Sequence, residues 1–474
     1  MATYDVTFQR PDFRKRRSAW SLVDDVCDGQ EAVKAGRRTY LPQPNPEDTS
    51  TENQTRYDQY LSRAVFYNVT GRTLQGLIGA AFRKVPTITV PASLSFVEDD
   101  IDGAGVSVYQ QSQSVLAGVL KKGRHFVLVD YPQTDGVASR ADMDSGRIRP
   151  TVASYPAESV INWRADRVGA VLKLSLVVIY ELIEAPTSDG YGIEEVDQYR
   201  VLRLRDGVYT QELWRGTERG FEVFQTETIM RDGSGSPWDH IPGIFVGSEN
   251  NDPSIDGSPL YDLAELNIAH YRNSADYEDS AFFCGQPQVY MSGLNEHWLE
   301  MLEEKGIYFG SRAILPLPVD GSAGILQAQP NTLAKEAMDQ KENQMISIGA
   351  RLIEPGSATK TATEAQSENE AQHSVLSLAV SNVSEAYTRC LEWMGRFMNV
   401  SGEFAYEINQ EFTRPNLDAP LMTALVAYWQ TGEWPRSEMR RVFRKYGLLD
   451  TEKTDEELDE ELESNPPALE LDQE

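Results

Sequence analysis

Between residues 124 and 250 the apolar residues fall on alternate positions; before and after, they recur every three or four. A chain that changes period in this way is neither one helical bundle nor one sandwich. It reads as an α+β protein with an antiparallel β module inserted between helical parts. The sharpest constraint inside the module is Asp206-Gly207. Asp197 to Arg205 alternates before it and Val208 to Trp214 alternates after it, which predicts a two-residue hairpin. Phe221 to Ile229 is then the next strand of a meander. The longest apolar run, Val168 to Ile183, is interrupted by Lys173 and Glu181. It is too short and too charged to cross a bilayer and reads as one buried strand.

Helical spacing dominates elsewhere. Residues 12–36 place Trp20, Val23, Val26 and Cys27 on one face, and 55–82 place Tyr57, Leu61, Ala64, Val65, Leu74, Leu77, Ile78 and Ala81 on another. The Pro-rich connector 41–54 separates them. A third helix is expected from Val106 to Lys122, stopped by Gly123. Ser258-Pro259 reads as an N-cap followed by a first-turn proline, opening a helix to about Phe283. Residues 285–330 read as a small mixed module: strand 287–291, helix 295–305 and strand 307–315. A helix over 333–353 follows, broken at Pro355-Gly356. Thr361-x-x-Glu364 and Thr363-x-x-Gln366 both fit a capping box, and Leu376, Val380, Val383, Tyr387, Cys390, Met394 and Phe397 continue a stripe to about Met398. That predicts one helix of roughly 55 Å. Shorter helices are expected at 418–431 and 437–446, closed by Gly432 and Gly447.

The chain of 474 residues has a formal net charge of −29. Residues 450–474 hold twelve Asp and Glu and one Lys, so the tail carries −11 and the other 449 residues carry −18. Such a balance excludes a protein that wraps nucleic acid through surplus cations. The tail reads as a solvated, self-repelling terminus. Its alternative partner is the basic cluster Arg436, Arg440, Arg441, Arg444 and Lys445, on the same or a neighbouring chain. With the preceding helix this cluster also imitates a helix-turn-helix, although a helix pair with one solvated basic face is the plainer reading. Arg14, Lys15, Arg16 and Arg17 form a second basic cluster near the start.

Three widely spaced cysteines, Cys27, Cys284 and Cys390, encode neither a disulfide framework nor a zinc knuckle and suit a reducing cytoplasm. Met1 to Arg17 is polar and then basic, so no signal peptide is expected. No nucleotide-binding glycine loop, nucleophile elbow or His-Glu-x-x-His pattern occurs. The five histidines, His125, His240, His270, His297 and His373, are scattered and read as core or surface residues. Glu98-Asp99-Asp100-Ile101-Asp102-Gly103 partly imitates a calcium loop, but Tyr109 stands where the bidentate Glu belongs. A plain acidic turn is expected there. No cofactor, metal or enzymatic activity is expected, and a structural or assembly role is.

The order of elements then becomes informative. Four stretches carry a resemblance: SRAVFYNVTGRTLQGLIGAAFRKVPTI (62–88), SYPAESVINWR (154–164), LYDLAELNIAHYRNSADYEDSAFFCGQPQVYMSG (260–293) and IGARLIEPGSATKTATEAQSENEAQHSVLSLAVSNVSEAYTRCLEWMGRFM (348–398). In this order they resemble the portal proteins of tailed bacteriophages, the head-to-tail connectors.

The resemblance implies a portal fold: wing 1–257, stem helices 258–283 and 333–353, clip 284–332, tunnel loop 354–361, long wing helix 362–399, crown 400–449 and acidic tail 450–474. The tunnel loop, Glu354, Pro355, Gly356, Ser357, Ala358, Thr359, Lys360 and Thr361, would face DNA. It implies a homo-oligomeric ring of twelve subunits at one capsid vertex of the virion, assembled in the host cytoplasm, with no membrane. Double-stranded DNA would pass through during packaging and ejection, and the terminase large subunit, the head–tail adaptor and the major capsid protein would be partners. Acidic walls suit such a channel, because a basic lining would hold phosphates at each step. Two other readings compete: another virion protein, such as an adaptor or tail component, and a metal-dependent enzyme built on Glu98 to Asp102.

Overall fold

Gly29 cuts the first helical stretch in two. Its φ of 100° is open to glycine and costly for other residues. The expected helix 12–36 is therefore α1 (Pro11–Asp28) and α2 (Gln30–Ala35). In this computed structural model the described residues are 5–132, 148–187, 189–217, 220–285, 288–293, 295–305, 317, 319–326, 332–353, 374–410, 412, 435–445, 449 and 453–464. The chain divides into two units, Met1–Gln410 and Glu411–Glu474.

The expected helix 55–82 is likewise two: α3 (Thr51–Arg63), whose N-cap Ser50 accepts from the Asn53 amide, and α4 (Val69–Ala81), whose N-cap Asn68 accepts from the Gly71 amide at 2.8 Å. A new cap thus interrupts an apolar stripe that runs on through Ala64 and Val65. The short strand β1 (Thr87–Thr89) follows. α5 (Val108–Lys122) forms as expected, with a capping box between Ser107 and Gln110 and a left-handed Gly123 at its end.

The β module is antiparallel throughout its described pairs. β2 (Arg124–Asp130) sits between β3 (Thr151–Pro156) and β9 (Gly243–Gly247). β4 (Val160–Val168), β5 (Val171–Pro186), β6 (Ile193–Arg205), β7 (Val208–Thr217) and β8 (Gly220–Ile229) make a five-stranded meander. The Asp206-Gly207 turn is where the sequence puts it, with φ of 50° and 76°. The run Val168 to Ile183 is not one buried strand. Gly169, at φ 65°, turns the chain there, and Val168, Val171 and Leu172 are exposed at the hairpin tip. Glu181, which interrupts the run, accepts from Arg200 Nε at 2.8 Å and from the Tyr155 hydroxyl at 2.8 Å, while Arg200 reaches Asp130 at 3.2 Å. The two sheets are therefore tied through a charge cluster.

α6 (Tyr261–Cys284) starts later than Ser258-Pro259 suggests. The Ser258 hydroxyl donates to the Lys121 carbonyl at 2.6 Å instead of capping, and Leu260 holds the cap position. Then come β10 (Gln288–Ser292), α7 (Glu296–Lys305), β11 (Ser322–Leu326) and α8 (Leu333–Ile353). β10 pairs with β11, which contains Gly324 and was unexpected; the expected strand 307–315 lies outside the described residues. So do both threonine capping boxes, the helix 418–431, Gly432 and Gly447.

The long helix is shorter than expected. α9 runs Val375–Phe397, and Ser374 precedes it with extended backbone while its hydroxyl accepts from the Ser377 amide at 3.1 Å. An extended residue at 374 rules out a continuous helix from 362. The 23 residues of α9 span about 35 Å. This helix is the centre of unit 1: Leu376, Val380, Val383, Tyr387, Cys390, Leu391, Met394 and Phe397 are all fully buried. Phe397 stacks on Trp238 and on Tyr131, and the Tyr387 hydroxyl donates to Gln111, whose amide in turn binds the Val152 carbonyl. β12 (Ala405–Glu407) pairs with β1. Residues 400–410 therefore belong to unit 1.

In unit 2, α10 (Arg436–Lys445) forms one residue ahead of its expected range. Part of the acidic tail is ordered as α11 (Asp455–Ser464) rather than splayed.

Candidate functional site

α6 and α8 pack side by side and antiparallel. A groove of about 570 Å3 is lined by Asp262 and Glu265 from the start of α6 and by Ser347, Ile348 and Arg351 from the end of α8. The base of the pair is fixed by a buried asparagine. The Asn267 carboxamide oxygen accepts from the Val69 amide, the Thr70 amide and the Thr70 hydroxyl at 3.1, 3.1 and 3.0 Å, and its nitrogen donates to the Tyr67 carbonyl at 2.8 Å. One side chain of α6 thus supplies the orphan amides at the start of α4. Arg272 adds a bond to the Tyr40 carbonyl at 2.8 Å.

Apolar burial on α6 stops at Ala275. Beyond it α3 takes over with polar contacts: Tyr60 donates to Asp276 at 2.6 Å, and Arg63 pairs with Asp279 and lies over the Phe282 ring at 4.3 Å. Burial first, and the Asp276 bond second, push the Tyr60 phenol above its ordinary range. Farther out, Phe282, Phe283, Tyr290, Leu299 and Ile325 are all exposed. Of the described side chains of α8 only Met345 and Leu352 are buried, and Leu333 and Ile346 face solvent. The helix pair and its small sheet form an arm whose apolar side chains one chain leaves uncovered.

The tunnel-loop residues Glu354, Pro355, Gly356, Ser357, Ala358, Thr359, Lys360 and Thr361 lie outside the described residues. Their flanks, Ile353 and Ser374, end α8 and precede α9.

The basic cluster is on α10 and is engaged. Arg436 and Arg440 reach Asp459 at 3.2 and 2.5 Å, and Arg444 reaches Asp455 at 2.6 Å. Arg441 points away and pairs with Glu438 of its own helix. Lys445 ends the helix. The bond from Arg440 holds the Asp459 carboxyl below its ordinary range. Of the two readings of the tail, the described part follows the one that pairs it with this face. In unit 1, Arg10 near the other basic cluster lies over Trp163 at 4.6 Å, and the buried Arg124 lies between Trp163 and Phe245 at 3.9 and 3.6 Å. Burial lowers Arg124 to about 9.

The acidic turn spends its carboxylates locally. Asp100 accepts from the Gly103 and Gly105 amides and pairs with Arg149; Asp102 accepts from the Ala104 and Val106 amides. Those bonds describe a plain turn. Among the described residues no cluster of three His, Cys, Asp or Glu side chains is placed to hold a metal ion. His125 is buried, with Nε2 2.7 Å from the Ser154 hydroxyl, and burial lowers it to about 3. His240 pairs with Asp239, His270 is buried on α6, His297 is exposed on α7 and His373 lies outside the described residues. No described helix is long and apolar enough to cross a membrane.

Asn267 and the Arg63–Asp279 pair escape a reading of the sequence, because partners about two hundred residues apart leave no local signal. The one hint was Asn267 itself, a polar residue on the apolar face of α6.

Residues 259–398, from just before α6 to the end of α9, match the family model described as "Domain of unknown function (DUF4055)". No curated protein matches the chain. Among solved structures, the chain is similar to a chain of "Virion of native gene transfer agent (GTA) particle", with 13% identity and a TM-score of 0.42, over 83% of this chain and 94% of that one. It is also similar to a chain of "Neck of empty GTA particle computed with C6 symmetry", with 14% identity and a TM-score of 0.41, over 81% and 90%.

Proposed function

We propose that this chain is the portal subunit of a tailed-phage-like particle. It is a non-enzymatic ring component at one capsid vertex, through which DNA is packaged and ejected. The observation that carries this reading is the arm: two antiparallel helices joined by a small sheet-and-helix tip, placed in the chain where the resemblance puts stem and clip. The uncovered Phe282, Phe283, Tyr290 and Ile325 support it, because an apolar arm of this kind is covered when copies pack around a ring. Residues 258–283 and 333–353 are the stem, 284–332 is the clip, and Lys360 is the cation of the tunnel loop. The net charge of −29 gives a conduit that repels the polymer it passes. The terminase, adaptor and major capsid protein are the partners this role requires.

Mass measurement with electron microscopy tests the reading. Twelve copies of 53.1 kDa make rings of about 640 kDa with a central hole. A monodisperse monomer across protein and salt concentrations would overturn it. Lys360→Glu is expected to leave the rings intact, and loss of rings in that variant would sink the loop assignment.

A further inference from the structure

Arg436, Arg440 and Arg444 recur every four residues on α10, which sets three guanidinium groups along one face over about 12 Å. On α11, Asp455 and Asp459 recur at the same interval and meet them. Asp459 holds Arg440 at 2.5 Å and Arg436 at 3.2 Å, and Asp455 holds Arg444 at 2.6 Å. Arg440 also donates to the Asp455 carbonyl at 2.9 Å, and Arg444 to the Lys453 carbonyl at 2.8 Å. A row of cations is thus matched by a row of anions, and Arg440 is left only 5% exposed.

We propose that the Arg436–Arg440–Arg444 face is a binding surface for the phosphates of duplex DNA, and that α11 occupies it in the free protein as a tethered anionic stand-in. Three observations point there. First, like charges four residues apart on a helix repel, so anions laid along the row stabilise it. Second, arginine forks suit phosphate oxygens as well as carboxylates, and a duplex offers a regular array of phosphates to a rigid row of such forks. Third, the row is displaceable from its open end: the Arg436 and Asp459 side chains are each about half open to solvent, and pairs of that kind are individually weak and weaken with salt. α11 holds the face mainly because the tether keeps it there at an effective concentration of about millimolar. A dense polyanion competes on those terms. The inference rests on the two rows alone and stands whether or not the chain forms rings.

The test is anisotropy of a labelled duplex titrated with the full-length protein and the full-length Asp455→Asn/Asp459→Asn variant, over a range of salt. The variant is expected to bind at least tenfold more tightly. Its plot of log affinity against log salt should be steeper by about 2.7 for three freed phosphate contacts. Adding Arg436→Gln, Arg440→Gln and Arg444→Gln should abolish the gain in both affinity and slope. Equal binding by wild type and the carboxylate variant overturns the proposal, and so does a gain that survives loss of the arginines. Light scattering showing that the variant pairs with a second copy instead of DNA also overturns it. Hydrogen exchange on the unmodified protein gives a reading independent of any variant. Saturating duplex should speed exchange of the 455–464 amides, and unchanged exchange overturns the proposal.

Discussion

The side-chain oxygen of Asn267 lies 3.1 Å from the backbone amide of Thr70, and Asn267 is fully buried. It also takes the Val69 amide and the Thr70 hydroxyl. Asn267→Ala would strand these donors in a dry interior. The expected cost is about 3 kcal/mol, from buried donors left unmet at the start of α4. Urea unfolding checks it as a lowered midpoint, and a change under about 1 kcal/mol would mean the start of α4 has another support.

Phe397 lies flat on Trp238, with ring centroids 4.1 Å apart and planes within 9°. Arg396 covers the same indole at 4.2 Å and reaches Asp239 at 2.8 Å. Phe397→Ala is therefore expected to cost about 3–5 kcal/mol and to loosen the end of α9. The measurement is the thermal midpoint together with hydrogen exchange of residues 390–397. Phe397→Leu should cost visibly less.

Acidity acts through His125. Burial first, and the nearby Lys122 charge second, lower it from 6.5 to about 3. Between those values the unfolded chain carries the proton and the folded chain does not. Stability therefore rises with pH across that window and is lost on acidification from pH 6.5 toward pH 3. The buried ring packs on Gly118, where an added Cβ would lie 2.3 Å from Nδ1. His125→Gln is expected to flatten the dependence of the urea midpoint on pH in this window. An unchanged slope would assign the acid limb to the carboxylates.

The Asp206-Gly207 hairpin gives the simplest backbone test. Both residues have positive φ, 50° and 76°. Gly207→Val forces a β-branched side chain into that region, and about 1–2 kcal/mol should be lost. Gly207→Asn should retain most of the stability, since asparagine tolerates that conformation. Both are read from melting curves.

That turn was legible in the sequence because its signal is local: two alternating runs and a dipeptide suited to a left-handed conformation. The Gly123 stop of α5 and the 333–353 helix were legible for the same reason. The failures share another cause. Apolar periodicity records which face is buried, not where the backbone changes direction. The stripe runs through Ala64 and Val65, yet Asn68 starts a new helix there. The stripe from Leu376 to Phe397 is correct, yet Ser374 is a cap, so α9 cannot extend back to 362. Ser258 looks like a cap and spends its hydroxyl on Lys121 instead. At the candidate site the basic row of α10 was visible, and so was its pairing with the tail as one of two options. What the sequence could not rank was the order gained when two rows of equal spacing meet. The arm was legible as helix, small module, helix; its brace, between residues about two hundred positions apart, was not.

That brace has a mechanical meaning. Up to Ala275, α6 is held by buried apolar contacts and by the hydrogen bonds of buried Asn267, between neutral groups that salt does not screen. Past it, the holding contacts are Tyr60 to Asp276 and Arg63 to Asp279, the second of them between full charges near the surface. Screening shortens the reach of such charges, to about 8 Å at physiological ionic strength. The outer third of the helix is therefore the part whose attachment responds to ionic strength, because one of its two holding contacts is an ion pair.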